Sequence, residues 1–289
     1  MSLKLPTGAA RVAGVVGRPI VHSLSPVIHN AWIRAAGLDA AYVPFCPPDE
    51  NFERFLRGLK GGAIAGLNVT APFKERALAL ADDADEIARK AGSANLLLFH
   101  EDGTIEARST DGQGLVKAFA EQAKGFRFSQ GPVAILGAGG AARAAVGALL
   151  KAGAPEVLVL NRTAQRAEEL VFGLGEAQVS AHALSDAERL FPRCRAVVNA
   201  AAGGPLPPIS ALPDGAVVMD MSYWPLRTGL LQAAEARGLR VVDGLSMLIN
   251  QAIPSFEAFF GRPPPRIGVR ALALAAAGLE QAAPEAANA

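Results

Sequence analysis

The sequence predicts an α/β protein built in two units, and three observations carry that prediction. Short apolar runs alternate with amphipathic, helix-length segments over most of the chain, the pattern of βαβ units and a mainly parallel sheet. The chain has 289 residues, whereas single cores stop growing at about 250–300 residues, so two domains are expected. A glycine-rich strand–turn–helix has its turn only at residue 137, which leaves room for a substantial domain before it.

The first unit reads in order as follows. Residues 13–16 form a strand, 26–36 a helix ending at Gly37, 41–45 a strand, 51–59 a helix and 64–69 a strand. A helix begins near Phe73 and another covers 83–90. Strands at 95–100 and 105–108 flank Asp102-Gly103, a hairpin signal. The unit ends near Asp111-Gly112, and a helix over 115–123 crosses to the second.

That second unit opens on residues 133–143, Val-Ala-Ile-Leu-Gly-Ala-Gly-Gly-Ala-Ala-Arg. Four apolar residues read as a buried strand, and an alanine-rich helix runs on to about Lys151. Gly137 permits a tight turn, Gly139 lets the backbone approach a pyrophosphate, and Ala142 allows close helix–strand packing. The free N–H groups of the new helix would meet phosphates. Alone, such a turn is weak evidence, because a plain strand–turn–helix has the same spacing. Strands at 157–160, 179–184, 196–200, 216–221 and 240–242 follow, with helices at 166–172 and 229–237. The unit therefore reads as a Rossmann-type dinucleotide-binding domain. After Gly244 a helix spans 247–260, which Pro254 should kink. A last helix covers 267–281, and the short polar tail, 282–289, is expected to fray.

Composition narrows the function classes. Apolar residues make up 51% of the chain and the formal net charge is +1, with no long run of one sign. Nothing here points to nucleic acid or to an acidic membrane surface. The first ten residues lack the apolar core of a signal peptide. No apolar run approaches the ~20 residues that span a bilayer, so a soluble cytoplasmic protein is expected. Asn68-Val69-Thr70 and Asn161-Arg162-Thr163 match the glycosylation sequon, which a cytoplasmic chain would not use. Both triplets therefore need another reading. Cys46 and Cys194 have no metal-ligand spacing. Both are expected as buried small hydrophobes, with no metal site.

Three constellations suggest chemistry. The end of the second strand of a dinucleotide fold selects the cofactor, an acidic residue favouring NAD and an arginine NADP. Here that position holds Asn161-Arg162-Thr163, with Arg166 close behind and no acidic residue between Glu156 and Glu168. Two guanidiniums suit a 2′-phosphate; solvated arginines at a helix start are the other reading. Ser23 and Ser25 precede a helix whose first residue would be Pro26. Ser25 fits the N-cap, while Ser23 is free to meet a small carboxylate. His22 and His29 lie nearby and are read as structural. Lys74 falls in the first turn of a helix, where a cation is disfavoured unless solvated or held by a carboxylate. Asp111, in Ser109-Thr110-Asp111-Gly112, is a candidate partner. Such a pair could relay a proton at an alcohol oxygen while hydride moves at carbon.

Taken together these motifs resemble the shikimate dehydrogenase family. The resemblance rests on Gly-x-Pro-Ile-x-His-Ser-x-Ser-Pro at 17–26, Asn-Val-Thr-x-Pro-Phe-Lys at 68–74 and Thr-Asp-Gly-x-Gly at 110–114. It continues with Gly-Ala-Gly-Gly at 137–140, Asn-Arg-Thr at 161–163 and Asp-Gly-x-x-Met-Leu-x-x-Gln-Ala at 243–252. It implies two α/β domains around a cleft and NADP-dependent reduction of 3-dehydroshikimate to shikimate in aromatic amino-acid synthesis. It implies that Ser23, Ser25 and Tyr223 hold the substrate carboxylate. Asn68, Thr70, Asn95, Asp111 and Gln251 would hold ring hydroxyls, and Lys74, paired with Asp111, would be the general acid/base. Gly137, Ala138, Gly139, Gly140 and Ala141 of the turn would hold the cofactor. Asn161, Arg162, Thr163 and Arg166 would join them, with Met221 and Gly244. The final helices would return to the first domain, giving a substrate-binding domain of 1–112 and 248–289 and an NADP-binding domain of 113–247.

Three positions depart from the family pattern. They are Leu96 after Asn95, Ser109 before Thr110, and Ala201 after Asn199-Ala200. The missing threonine hydroxyl at Leu96 puts one contact near the ring in question. A quinate/shikimate dehydrogenase using NAD and a non-catalytic NADP-binding regulator are the alternatives. Retention of Lys74 and Asp111 speaks against the second. A homodimer is left open by the sequence.

Overall fold

Parallel strand pairing dominates two six-stranded sheets. They are seen in a computed structural model that describes residues 5–278 apart from Ala63 and Ala202. The first sheet and its helices comprise β1 (Arg11–Val16), α1 (Ser25–Ala35), β2 (Ala40–Phe45), α2 (Phe52–Arg57), β3 (Gly66–Val69), α3 (Lys74–Ala79), β4 (Asp83–Ala84), α4 (Glu86–Ala91), β5 (Leu96–Phe99) and β6 (Ile105–Arg108). Its strand order is β2-β1-β3-β5-β6-β4, with β5 antiparallel to both neighbours. Helix α5 (Asp111–Gln122) crosses to the second sheet.

There the elements are β7 (Val133–Leu136), α6 (Gly140–Lys151), β8 (Val157–Asn161), α7 (Ala164–Leu174), β9 (Val179–Ala183), α8 (Ala187–Leu190), β10 (Ala196–Asn199), β11 (Val217–Asp220), α9 (Gly229–Ala236) and β12 (Arg240–Val242). All pairs are parallel, in the order β12-β11-β10-β7-β8-β9. This is the doubly wound Rossmann order. Helices α10 (Gly244–Phe260) and α11 (Val269–Ala276) end the described chain.

Both sheets carry a packed cluster on each face, which is why inner strands such as β5 and β7 read as unbroken apolar runs. Along β7, Val133 and Ile135 enter one cluster while Ala134 and Leu136 enter the opposite one. Along β5, Leu96 and Leu98 face one cluster, Leu97 and Phe99 the other. After leaving β12, α10 and α11 return to the first sheet. Ala252, Phe256, Phe259, Val269 and Ala273 share a cluster with Val15, Ile28 and Trp32. His29 belongs to that layer. It is fully buried and stacked flat on Tyr42 at 4.1 Å between ring centroids. Burial lowers its pKa to about 3, so it is a neutral aromatic core residue.

Several sequence expectations are corrected. The segment 83–90 is not one helix: Asp83 and Ala84 pair with β6, and Asp85 then caps α4 through the Ala88 N–H at 2.6 Å. Helix α5 starts at Asp111, four residues before the expected start. Its first turn, Asp-Gly-Gln-Gly, lacks apolar periodicity but is enclosed by neighbouring helices. Helix α10 starts at Gly244, where Asp243 accepts the Ser246 N–H, and runs through Pro254 as one element. Ser25 is not an N-cap. Leu24 occupies that position in a helical conformation, and it is the Ser23 hydroxyl that accepts the Ser25 N–H, at 3.3 Å. Cys194 is buried, which pushes its thiol up to about 11. Cys46 is exposed, because it lies just past the end of β2 before two prolines. The last helix runs over Val269–Ala276 rather than 267–281, because Ala277 caps it and Gly278 turns away at φ +64°; the tail 282–289 lies outside the described residues.

Candidate active site

Ligands of open α/β sheets bind where strand order reverses, beyond the carboxyl ends of the strands. Each sheet here has such a point. In the first, β1 pairs with both β2 and β3, and their ends deliver the Ser23 loop and Asn68-Val69-Thr70. In the second, β7 pairs with β8 and β10, and their ends deliver the glycine turn and Asn199-Ala200. A cavity of about 380 Å³ lies at the first point and one of about 610 Å³ at the second. Thr70, Lys74, Ala141, Ala200 and Ala201 line both.

The smaller cavity collects residues from across the chain. Ser23, Ser25, Tyr223, Asn68, Asn95 and Gln251 all line it. Burial raises the Tyr223 phenol above its ordinary pKa, while the Leu24 backbone and the Ser23 hydroxyl pull it back in part. These hydroxyls suit a carboxylate, which accepts hydrogen bonds at several lone pairs.

Lys74 opens α3, and its backbone carbonyl accepts the Ala94 N–H at 3.0 Å. Its ammonium donates to Asp111 Oδ2 at 2.5 Å, and both groups are largely buried. Asp111 Oδ1 in turn accepts from Asn95 Nδ2 at 2.9 Å. That amide also reaches Thr110 Oγ1 at 2.8 Å and Gln251 Oε1 at 3.1 Å, while its own oxygen accepts the Thr110 N–H at 2.7 Å. Asn95 thus has two hydrogens for three acceptors. The arrangement presents an oriented cation with a fixed counter-charge, able to donate a proton to an oxygen and take it back.

The glycines of α5 bring Gln251 there. A Cβ on Gly114 would come within 2.8 Å of both Gln251 Cβ and the Met247 carbonyl, and one on Gly112 within 2.6 Å of Ala148 Cβ. Without side chains at these two positions, α5 fits between α6 and α10 and sets Asp111 beside Gln251.

The larger cavity fits a dinucleotide. Gly137, Ala138, Gly139, Gly140 and Ala141 line it, and so do Asn161, Arg162, Thr163 and Arg166. Gly137 has φ +108°, and a Cβ there would meet the Ala201 nitrogen at 2.9 Å. Gly139 faces open space, and no side chain caps the start of α6. An extended anion can therefore lie against the backbone and meet free helix N–H groups. Arg162 and Arg166 are exposed and form no ion pair among the described residues. Uncompensated guanidiniums at the end of β8 suit a phosphate monoester.

Met221 and Gly244 do not line the larger cavity with the other expected cofactor residues; both line the smaller one. A Cβ on Gly244 would run into the Met221 carbonyl, so the two stand back to back at the seam. His22 also lines the smaller cavity and stacks on Trp224 at 5.9 Å. Sequence reasoning passed over Thr110, Tyr42 and Ser255. Thr110 lies within the Thr-Asp-Gly-x-Gly motif, whereas no local motif marks Tyr42 or Ser255, because their bonds run between distant segments. The departures also sort by position. Leu96 is buried in the core under β5, Ser109 is buried and lines neither cavity, and Ala201 lines both. Among the described residues, no group of three or more His, Cys, Asp or Glu could hold a metal ion.

The sequence matches three family models. Residues 15–97 match the shikimate dehydrogenase substrate binding domain, 118–207 the shikimate/quinate 5-dehydrogenase family, and 244–274 the shikimate 5′-dehydrogenase C-terminal domain. The chain is 57% identical over 275 residues to the shikimate dehydrogenase (NADP(+)) of Caulobacter vibrioides strain NA1000 / CB15N, covering 93% of this chain and 96% of that protein. It is 42% identical over 264 residues to the protein of the same name from Paramagnetospirillum magneticum, covering 89% and 95%. Among solved structures it is similar to shikimate 5-dehydrogenase from Thermus thermophilus in complex with NADP(H) and shikimate. That match has TM-score 0.80 and 35% identity, and covers 92% of this chain and 99% of that one. Quinate dehydrogenase from Corynebacterium glutamicum in complex with NAD is similar at TM-score 0.81 and 26% identity, covering 91% and 97%.

Proposed function

The chain belongs to the shikimate dehydrogenase family and is an NADP-dependent oxidoreductase, and we propose that its two cavities divide one reaction between them. The reaction is the reversible reduction of 3-dehydroshikimate to shikimate, a step in aromatic amino-acid synthesis. The observation that carries the assignment of roles is the place of Lys74. It lines both cavities, and its ammonium is held by Asp111.

In this reading Ser23, Ser25 and Tyr223 hold the substrate carboxylate in the smaller cavity. Asn68, Thr70, Asn95 and Gln251 meet the ring hydroxyls. Residues 137–141 cradle the pyrophosphate, and Asn161, Arg162, Thr163 and Arg166 hold the phosphorylated ribose. Met221 and Gly244 form the wall where the nicotinamide enters. When bound, NADP supplies the hydride acceptor for alcohol oxidation, and NADPH the donor for the reverse. In reduction the Lys74 ammonium gives a proton to the ketone oxygen, and in oxidation the neutral amine takes that proton back from the hydroxyl, with Asp111 holding the ammonium so formed.

The return of α10 and α11 to the first sheet supports a discontinuous substrate domain, 1–112 with 248–289, around an NADP domain of 113–247. Two free cysteines, one of them exposed, suit a reducing compartment such as the cytoplasm. The test is the oxidation of shikimate and of quinate with NADP and with NAD, followed by nicotinamide absorbance. Shikimate with NADP is expected to be the fastest pair. Absence of activity with shikimate overturns the reading.

A further inference from the structure

Beneath the smaller cavity, Tyr42, Asn68 and Ser255 form a hydrogen-bonded chain from three separate elements. Tyr42 stands on β2, Asn68 on β3 and Ser255 on α10. All three are buried, and of the three only Asn68 lines the cavity. The Tyr42 hydroxyl donates to Asn68 Oδ1 at 2.8 Å. Asn68 Nδ2 donates to Ser255 Oγ at 2.9 Å and to the Asn95 carbonyl at 3.2 Å.

The hydrogens in this chain can be counted. Ser255 has a single hydroxyl hydrogen, which goes to the Gln251 carbonyl at 3.2 Å. It is left as an acceptor toward Asn68. The Asn95 carbonyl has no hydrogen at all. The side of Asn68 that faces these two groups must therefore be its NH₂, because a flipped amide would set oxygen against oxygen at both. Both amide hydrogens are then committed. Oδ1 already accepts from Tyr42 and keeps one lone pair.

We infer that Tyr42 and Ser255 are positioning residues that lock Asn68 as a hydrogen-bond acceptor toward the substrate, so that this part of the site selects a ring position bearing a hydroxyl hydrogen. A ketone, an ether or a fluorine there would set an acceptor against an acceptor. The selection is one of chemistry rather than of size, and it works because an unmade bond at a buried polar group is costly. Tyr42 shares its layer with His29, which stacks on the phenol face and has no hydrogen-bond partner of its own among the described residues. The ring is thereby clamped, with its hydroxyl donating to Asn68 Oδ1 and also hydrogen-bonded to the Ser25 side chain.

This inference rests on the shikimate reading above, and the experiment separates the two. Wild type, Tyr42→Phe, Ser255→Ala and Ser255→Thr are assayed with shikimate and NADP. They are also assayed with analogues in which a ring hydroxyl other than the one oxidised is replaced by hydrogen or fluorine. Thermal unfolding and the KM for NADP report whether each variant is folded. Tyr42→Phe and Ser255→Ala are expected to raise the KM for shikimate about tenfold, with kcat and the KM for NADP little changed. Ser255→Thr restores the acceptor and is expected to restore KM. With the analogue lacking the hydroxyl that Asn68 receives, the difference between wild type and Tyr42→Phe is expected to vanish. An unchanged KM in Tyr42→Phe, or an equal penalty with every analogue, overturns the inference. No oxidation of shikimate by the wild type would instead overturn the functional reading itself.

Discussion

Lys74 and Asp111, 37 positions apart in the chain, are joined by a hydrogen bond of 2.5 Å between Nζ and Oδ2. The first turn of a helix disfavours a cation, yet Lys74 opens α3. Its position is explained by the carboxylate that α5 brings to it. Asp111→Asn keeps the shape and removes the countercharge. A fall in kcat of about 10²-fold is expected, with the KM for NADP little changed, in steady-state assays of shikimate oxidation.

Arg162 and Arg166 are proposed to account for cofactor choice. Both line the larger cavity and neither forms an ion pair among the described residues. Arg162→Ala is expected to raise the KM for NADP about 10–100-fold while leaving NAD nearly unaffected. An equal loss for both cofactors, measured side by side, would remove Arg162 from the phosphate site.

A second ion pair joins the two parts of the chain where α10 begins. Arg270 donates to both oxygens of Asp243, at 3.1 and 2.6 Å. Burial alone would raise the Asp243 pKa. The Arg270 guanidinium, the Ser246 N–H and the Gln122 amide outweigh it and hold the carboxyl below its ordinary value. A folded pKa below the unfolded one adds stability above the unfolded value of about 3.9. That stability is lost as pH falls through the folded value. Arg270→Met is expected to cost about 1–3 kcal/mol at neutral pH. The low end is expected, because the arginine is partly exposed. The gap between wild type and variant should close as pH falls below the unfolded value and through the lower folded one in denaturant titrations. A gap independent of pH would mean that the charge pair is not its source.

Leu96 tests the departures from the family pattern. Its side chain packs in the core under β5, away from the cavity. Leu96→Thr is therefore expected to leave the KM for shikimate within about twofold, while costing about 1–3 kcal/mol for the buried hydroxyl. A gain in affinity would show that the position reaches the substrate.

The second sheet was legible in the sequence because its strands are buried on both faces and read as apolar runs. The glycine turn and the arginines after β8 were legible because their meaning is local. The first turn of α5 was not. Its polar and glycine residues carry no periodicity, and packing against α6 and α10 holds them in a helix. The two-residue β4 is too short to show a pattern. The Ser255–Asn68 bond spans 187 positions, and a serine inside an apolar helix reads as core. Lys74 and Asp111 were each visible as candidates, but only the fold shows that they meet.

The proposed role of Lys74 is to move the proton at the seam between the cavities. It is tested most directly by kcat for NADP-dependent shikimate oxidation in Lys74→Ala, with NADP affinity measured on the same preparation. A loss of about 10²–10⁴-fold in kcat with NADP affinity unchanged is expected. A kcat close to wild type, in a protein that still binds NADP, would contradict it.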